Sequence, residues 1–586
     1  MYPQSIKTLL GVGLAALCAT PVMAQSERLQ PKKPEAASTA TAPKADAATA
    51  GLTGSPQDPG PALKGVVIFG SREEIKGKGD VVAEGVQVGP GSQLDLLRSA
   101  QFKAALQPLI DQPINTYNLG LLQRKIVLFY RKNNRPLVDV VLPAQESVGN
   151  GVIQIFILEG KLGQVEVEGN KHFKSELFTK SLRLREGDVI DSQELLSDLD
   201  WMNRNPGRHV DASFRRGEKL GESDVVLRVK DRYPLRGYVG YENNGPRFAG
   251  EDRVFAGFNW FNAFGLDHRL SYQFTADTDF DLLKAHSLSY EIPLPWRHTV
   301  SFYGGYADSK ADFNTPVVTQ KGSSYQLSGR YEIPLGRIGN FSHLVNFGLD
   351  FKRMDNQLEF NNFTIFGGEL DIFQVAAQYR TECHDKWGST AMRLDAYWSP
   401  GDVTANNEDA AFRAFRGNNA NSDASYLYTR LTLERSTRLP ADFSWVIRAT
   451  GQLASQNIPT SEQLGIGGSI GARGYDEREA NGDNGYLIVN ELYSPNLPFL
   501  SMINKKAGDN LKLLAFFDMG ETQNIDLLPT EDPHVQLMSA GVGLRYQFRT
   551  NLSVRFDYGW QLMDSGTLNP HSPENSRGHI AAILSF

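Results

Sequence analysis

From about residue 235 to Phe586 the chain alternates apolar and polar residues, strand after strand, and it stops on an aromatic side chain. Leu552, Val554, Phe556, Tyr558 and Trp560 point one way; Ser553, Arg555, Asp557 and Gly559 point the other. In a soluble sandwich the polar face would meet water and the apolar face a core. In a membrane barrel the arrangement inverts, with the apolar face on lipid and the polar face on an aqueous lumen. About sixteen candidate strands of roughly 9 to 13 residues fit between Leu235 and Phe586, a length that spans a tilted barrel wall.

Export decides between the two. Lys7 precedes an apolar run from Leu9 to Leu17, and Val22-Met23-Ala24 offers a small-residue cleavage site before Gln25. Residues 1–24 therefore read as a secretory signal peptide. A lipoprotein reading of Cys18 is weak, because Leu17 stands where a small residue is expected. The apolar run is too short for a spanning helix, which needs roughly 20 residues. No other long apolar run occurs, and the mean hydropathy is −0.35. That argues against a helical membrane protein but not against a barrel, in which only every second strand residue is apolar.

Of two cysteines, Cys18 leaves with the signal and Cys383 stays alone, so an exported chain must be held by a large hydrogen-bonded framework. The net charge of −7 is spread over both signs, and no basic stripe suggests nucleic acid. The 21 Tyr and 32 Phe suit a strand-rich chain with aromatic girdles.

Residues 25–64 are rich in Ala, Pro, Thr, Ser and Lys and read as a linker; the alternative is a segment that docks elsewhere in the protein, as a plug for instance. Residues 65–161 look like a small α+β module. Leu94, Leu97, Phe102, Leu106 and Ile110 fit helical spacing roughly, and Leu119, Leu122, Ile126 and Phe129 fit it well. Extended runs Leu137–Leu142 and Val152–Leu158 follow, with Gly149-Asn150-Gly151 as the turn. Residues 162–231 repeat the plan: a strand through Val165 and Val167, a helix capped by Asp191 with Glu194, a break at Asn205-Pro206-Gly207, and strands near His209–Arg215 and Asp224–Val229. Residues 232–586 form the barrel. Pro-marked segments at Pro293, Pro334 and Pro400 read as short turns on one rim, and Asn406–Ser425 reads as a loop on the other.

Two barrel motifs stand out. Arg473-Gly474-Tyr475 lies in a Gly-rich segment, Gly465–Gly485, between the eleventh and twelfth expected strands. Phe517-Asp518-Met519-Gly520 lies at the end of the thirteenth. In that strand Leu511, Leu513, Ala515, Phe517 and Met519 share one face, while Lys512, Leu514, Phe516, Asp518 and Gly520 share the other. Lipid disfavours Lys512 and Asp518, so the second face is the lumen, where Asp518 can meet a folded-in loop. Arg236-Gly237-Tyr238 repeats the tripeptide, and no loop role is assigned to it.

The order of signal, linker, two α+β modules and a sixteen-stranded antiparallel transmembrane barrel resembles the two-partner secretion transporters (TpsB proteins, the haemolysin secretion/activation type) of the Omp85 superfamily. Leu142-Pro143-Ala144-Gln145, Leu158-Glu159-Gly160-Lys161 and Asn203-Arg204-Asn205-Pro206-Gly207-Arg208 resemble POTRA segments of that family. The resemblance implies that Arg473, Gly474 and Tyr475 form the tip of a sixth loop folded into the barrel. Phe517, Asp518 and Gly520 would form the matching wall motif, and Phe586 would end the barrel-assembly signal. It also implies an outer-membrane site in a Gram-negative bacterium, with the modules in the periplasm. The partners it implies are a large secreted TpsA-like adhesin or haemolysin, outer-membrane lipid, and barrel-assembly machinery and periplasmic chaperones during biogenesis. The expected function is translocation of an unfolded exported partner; the alternative is an Omp85-type assembly factor, which usually carries more POTRA modules than about 170 residues allow.

No P-loop and no Gly-x-Ser-x-Gly elbow is present, and Cys383-His384-Asp385 lacks the further ligands a metal needs. No enzymatic activity, cofactor or metal site is expected.

Overall fold

The computed structural model describes residues 30–33, 53–75, 82–90, 92, 94–143, 149–247, 249–312, 318–360, 363–416, 419, 421–497, 499–500, 508–527, 533–566 and 575–586. The described residues fall into two compact units, one of residues 53–233 and one of residues 30–33 with 234–586.

The first unit holds two sheets. Strands β1 (Gly65–Phe69), β2 (Gly85–Val88), β3 (Val138–Val141) and β4 (Val152–Glu159) form a sheet in the order β2-β1-β4-β3, in which β1 is parallel to both neighbours. Helices α1 (Ala100–Leu106) and α2 (Thr116–Lys132) cover it. The side chain of Asn115 caps α2 by accepting from the Asn118 amide at 2.8 Å. Leu122, Ile126 and Tyr130 recur every fourth residue on α2 and pack on Ile68, Ile153 and Ile155. The expected helix face is thus rotated: Tyr130 is fully buried, while Leu119 and Phe129 pack at its margin. The expected Leu94–Ile110 helix is broken, because Ser99 caps a new helix, accepting from Phe102 N at 3.3 Å. The turn expected at Gly149–Gly151 is present before β4: Gly151 has φ of +79°, and Asn150 Oδ1 accepts from Val152 N at 3.1 Å.

The second sheet repeats the parallel-then-antiparallel plan. Strands β5 (Lys161–Glu168), β6 (Arg208–Arg216) and β7 (Glu222–Asp231) lie in the order β5-β7-β6 under helices α3 (Ser175–Ser181) and α4 (Ser192–Asn203). Asp191 caps α4 through its carboxylate, which accepts from Gln193 N at 2.8 Å and Glu194 N at 3.1 Å. Asn203 Oδ1 accepts from Val210 N at 2.7 Å, and its Nδ2 donates to Val210 O at 3.0 Å, which fixes the chain reversal at Asn205-Pro206-Gly207. The short helix α3 and strand β2 were not legible as elements, being only 7 and 4 residues long.

The other unit is a closed barrel of sixteen antiparallel strands. These are β8 (Leu235–Glu242), β9 (Arg253–Ala263), β10 (His268–Asp277), β11 (Leu283–Pro293), β12 (Thr299–Asp312), β13 (Val318–Ile338), β14 (Phe341–Phe360), β15 (Phe363–Asp385), β16 (Gly388–Ser399), β17 (Tyr426–Arg438) and β18 (Ser444–Ala454). A short ribbon, β19 (Leu464–Ile466) with β20 (Ala480–Gly482), interrupts the order. The ring then continues with β21 (Asn484–Tyr493), β22 (Asp509–Gln523), β23 (His534–Phe548), β24 (Leu552–Gln561) and β25 (Ser576–Ser585). The outward residues form an apolar band: Phe302, Leu327, Phe347, Leu349, Trp398, Leu433, Leu513, Val542 and Trp560 are all exposed. An apolar surface of that extent needs lipid around it. Among the described residues no helix is long and apolar enough to cross a membrane.

The ring closes where β25 meets β8, with Ala581–Ser585 paired to Tyr238–Glu242. Phe586 extends the seam, because its amide donates to Gly237 O at 3.0 Å and its carbonyl accepts from Gly237 N at 3.1 Å. A Cβ at Gly237 would sit 2.6 Å from the Phe586 ring, so the small residue makes room for the last aromatic one.

The strands differ from the expectation in two respects. β13, β14 and β15 have 21, 20 and 23 residues, because the hairpins at the rim opposite the β8 start run on past their neighbours; β16 pairs only with Val375–Asp385 of β15. The Pro-marked segments also do not share a rim. Pro293 ends β11 at the rim where β8 starts, Pro334 lies inside β13 at a register shift, and Pro400 ends β16 at the far rim. Proline stops a ladder by lacking an N–H, but strand parity sets the rim at which it does so. Pro400 opens a loop that carries the short helix α5 (Asp409–Phe415).

Candidate functional site

The sixth far-rim loop, residues 455–483 between β18 and β21, folds back against the inner wall. The bounds of the flanking strands place Arg473 between the eleventh and twelfth strands of the ring and Asp518 inside the thirteenth, which continues to Gln523. The structure brings the two together. Arg473 Nε donates to Asp518 Oδ2 at 2.7 Å and its Nη2 to Asp518 Oδ1 at 2.8 Å, a bidentate fork; its backbone N–H reaches Oδ2 at 3.3 Å. Arg473 Nη1 donates to Glu491 Oε1 on β21 at 2.6 Å and lies 3.5 Å from Asp557 Oδ1 on β24. The guanidinium also rests 3.6 Å from the centre of the Phe516 ring. Arg473 is 1% exposed, and Asp518 and Asp557 are at 0%.

So many carboxylates would repel one another if Arg473 stood alone among them. Arg545 on β23 donates to Asp557 at 2.8 Å, and Arg555 on β24 donates to Asp557 at 2.7 Å. Three guanidinium groups thus face three carboxylates, and the cluster balances. The reading of the sequence missed Glu491, Phe516, Arg545, Arg555 and Asp557 as members of the site. Their signal is a charged or aromatic residue at an inward position beside Asp518, which is visible only once the register between strands is fixed.

Gly474 has φ of +104°, and a Cβ there would lie 2.9 Å from Gly559 O. In return a Cβ at Gly559 would lie 2.5 Å from Arg473 O, so the loop tip and β24 approach backbone to backbone. Gln561 Nε2 secures that approach by donating to Gly474 O at 2.8 Å. The Tyr475 hydroxyl sits between Met563 O at 2.6 Å and Met538 O at 2.8 Å, and its ring packs with Ile466, Val535 and Leu537. Gly520 leaves room for Ile466, whose Cγ2 would lie 3.2 Å from a Cβ there. Phe517 takes no part in this packing; it faces outward and is 38% exposed.

A second feature occupies the inner wall on the other side of the seam. Residues 30–33 of the segment read as a linker lie against β8–β11. Lys32 N meets Tyr238 Oη and Gln273 Oε1 at 3.2 Å each, and Lys32 O accepts from Asn259 Nδ2 at 3.1 Å. Lys32 Nζ reaches Glu242 at 3.3 Å, and Lys33 Nζ reaches Glu291 at 2.6 Å and Ser289 at 2.7 Å. The rest of residues 25–52 lies outside the described residues.

Cys383-His384-Asp385 ends β15, where Asp385 accepts from Arg435 at 2.8 Å and caps the turn at Trp387 and Gly388. Among the described residues no group of three or more His, Cys, Asp and Glu is placed to hold a metal.

Comparison with known proteins agrees with this architecture. The sequence profile described as "Haemolysin secretion/activation protein ShlB/FhaC/HecB" matches residues 221–546, and a POTRA profile, "Surface antigen variable number repeat", matches residues 160–207. The heme/hemopexin transporter protein HuxB of Haemophilus influenzae is 22% identical over 68% of this chain and 69% of its own. The outer membrane transporter CdiB of Escherichia coli is 22% identical over 68% of this chain and 66% of its own. The solved structure of CdiB from Escherichia coli superposes with a TM-score of 0.72 at 17% identity, covering 93% of this chain and 94% of the other.

Proposed function

The chain belongs to the ShlB/FhaC/HecB family of haemolysin secretion/activation proteins, outer-membrane barrel transporters with periplasmic POTRA modules, and on that premise we propose how it moves its partner. It is a two-partner secretion transporter. Residues 1–24 serve as the export signal, and residues 65–161 and 162–231 are the two POTRA modules. They receive an unfolded, exported TpsA-like protein of the adhesin or haemolysin type. The strand β6, nine residues long and at the edge of its sheet among the described residues, offers main-chain groups for an extended segment of that partner. The partner then threads the barrel and folds outside, and that folding supplies the direction. No catalytic step is assigned. Lipid packs on the apolar band, and barrel-assembly machinery and chaperones act on this chain during biogenesis, with Phe586 as the terminal signal.

The observation that carries this reading is the loop tip held inside the barrel by Arg473, Gly474 and Tyr475 against Asp518 and Gly520. A pore for small solutes has no use for so dense a buried ionic cluster; a conduit whose inner loop must hold one position beside a passing chain does. The test co-expresses the chain with a candidate large exported TpsA-like protein and measures that protein in the medium. Secretion with the intact chain, none without it and a strong reduction with Arg473→Ala is the expected result. Secretion indifferent to the chain, with other barrel proteins failing to insert, would overturn it in favour of an assembly factor.

A further inference from the structure

The sixth loop has a second hold on the barrel that neither of its motifs contains. Eleven residues before Arg473, Glu462 is buried against the wall formed by β14 and β17. Lys352 Nζ, on β14, donates to Glu462 Oε1 at 2.7 Å. Tyr428 Oη, on β17, donates to Oε2 at 2.7 Å, and Ser461 Oγ donates to Oε1 at 3.0 Å. The peptide carbonyl of the same residue accepts from Gln452 Nε2 at 3.2 Å and Arg430 Nη2 at 3.3 Å. The Lys352 and Glu462 side chains are 11% and 2% exposed. Met354 of β14, Leu370 and Ile372 of β15, Tyr426 of β17, Phe412 of α5 and Ile458 of the sixth loop form one buried cluster among the same elements. Tyr397 stacks on Tyr428 with ring centres 4.8 Å apart.

The loop leaves the ring between β18 and β21. Its tip is held on the β21–β24 side and Glu462 on the β14–β17 side, so the attachments span nine consecutive strands of the sixteen. A loop fixed on both sides of its own root is a strut across the lumen, not a flap hinged at the rim. A buried ion pair is a poor source of net stability compared with apolar packing, but it is specific in geometry and strongly opposed to losing one partner.

We propose that Glu462 is a positioning residue for the sixth loop: with Lys352 and Tyr428 it forms a second post, independent of Arg473, that holds the limb of residues 455–462 on the β14–β17 wall and so sets the width of the conduit on that side. The post goes beyond the secretion reading and does not depend on it, since its test reads loop position alone. Spin labels are placed in the full-length protein in lipid nanodiscs on a Cys383→Ser background. One pair joins Thr460→Cys, on the limb, to Asp442→Cys, on the turn at the β8-start rim; the other joins Ile470→Cys, at the tip, to the same reference. Glu462→Gln and Lys352→Met are expected to raise the displaced fraction of the limb at least about tenfold while leaving the tip distance unchanged. The exchange Lys352→Glu with Glu462→Lys is expected to return the limb distribution toward that of the parent. A heat-shifted electrophoretic mobility shows that each barrel has formed, and Tyr428→Phe gives a milder displacement should a charge variant fail to form one. A parental limb distribution in both single variants, movement of the tip in step with the limb, or an exchange variant no better than the singles would overturn the proposal.

Discussion

Replacing Arg473 by methionine removes three charge-assisted bonds of 2.6, 2.7 and 2.8 Å from a site that water does not reach. Breaking a buried ion pair by deleting one partner costs about 3–5 kcal/mol, mostly the burial of the charge left behind. The lower end applies here. Asp557 keeps Arg545 and Arg555, and Glu491 keeps Arg545 at 3.5 Å, so the orphaned charge is that of Asp518. About 3 kcal/mol corresponds to roughly a hundredfold fall in the ratio of docked to undocked tip, at about 1.4 kcal/mol per factor of ten. The Ile470→Cys and Asp442→Cys spin-label pair reads that ratio directly, because Ile470 is exposed at the tip and tolerates a label. Asp518→Asn keeps the shape but loses the charge and is expected to cost less, about tenfold. The deciding variant is Arg473→Met with Asp518→Leu. If the cost is an orphaned buried charge, removing both partners restores a substantial part of docking. A double variant as undocked as Arg473→Met alone, or an Arg473→Met tip that stays docked, would refute the electrostatic argument.

Further predictions follow from close contacts. Gly559→Val places a side chain where a Cβ already lies 2.5 Å from Arg473 O, and is expected to lift the tip while β24 keeps its pairing; the same label pair checks it. Lys32→Ala with Lys33→Ala removes the contacts to Glu242 and Glu291 and is expected to raise the conductance of the protein in planar bilayers; unchanged conductance would show that residues 30–33 do not narrow the lumen. Gly237→Leu is expected to slow barrel closure in lipid, read as delayed heat-shifted mobility, because a side chain there meets the Phe586 ring at 2.6 Å. Leu199→Ala, in the core under β5–β7, is expected to cost about 2–5 kcal/mol and expose the second module to protease before the barrel is affected.

Period-two alternation fits a soluble sandwich as well as a membrane barrel, and the export signal chose the barrel; the strand count and the inward side of Asp518 were written in single strands of sequence, whereas the inward Arg473 loop was implied by the family resemblance of its motif. The helix caps at Asp191 and the break at Asn205-Pro206-Gly207 were equally local. What local pattern does not carry is which residues from different strands share a height in the lumen. Glu491, Arg545 and Asp557 look like ordinary inward charges until the pairing Asp518↔Ser539 and Val489↔Asp518 fixes the register around the ring. The Lys352–Glu462 pair, 110 residues apart in sequence, exists only because the curving sheet turns the inner faces of β14 and β17 toward a loop rooted at β18. The sequence by itself determined the class, a membrane barrel that follows two small modules in the chain; the arginine loop inside it was implied by the resemblance of its motif. Only the tertiary structure decided how many posts hold that loop, because electrostatic partners across a lumen are chosen by ring closure and register, which no local periodicity encodes.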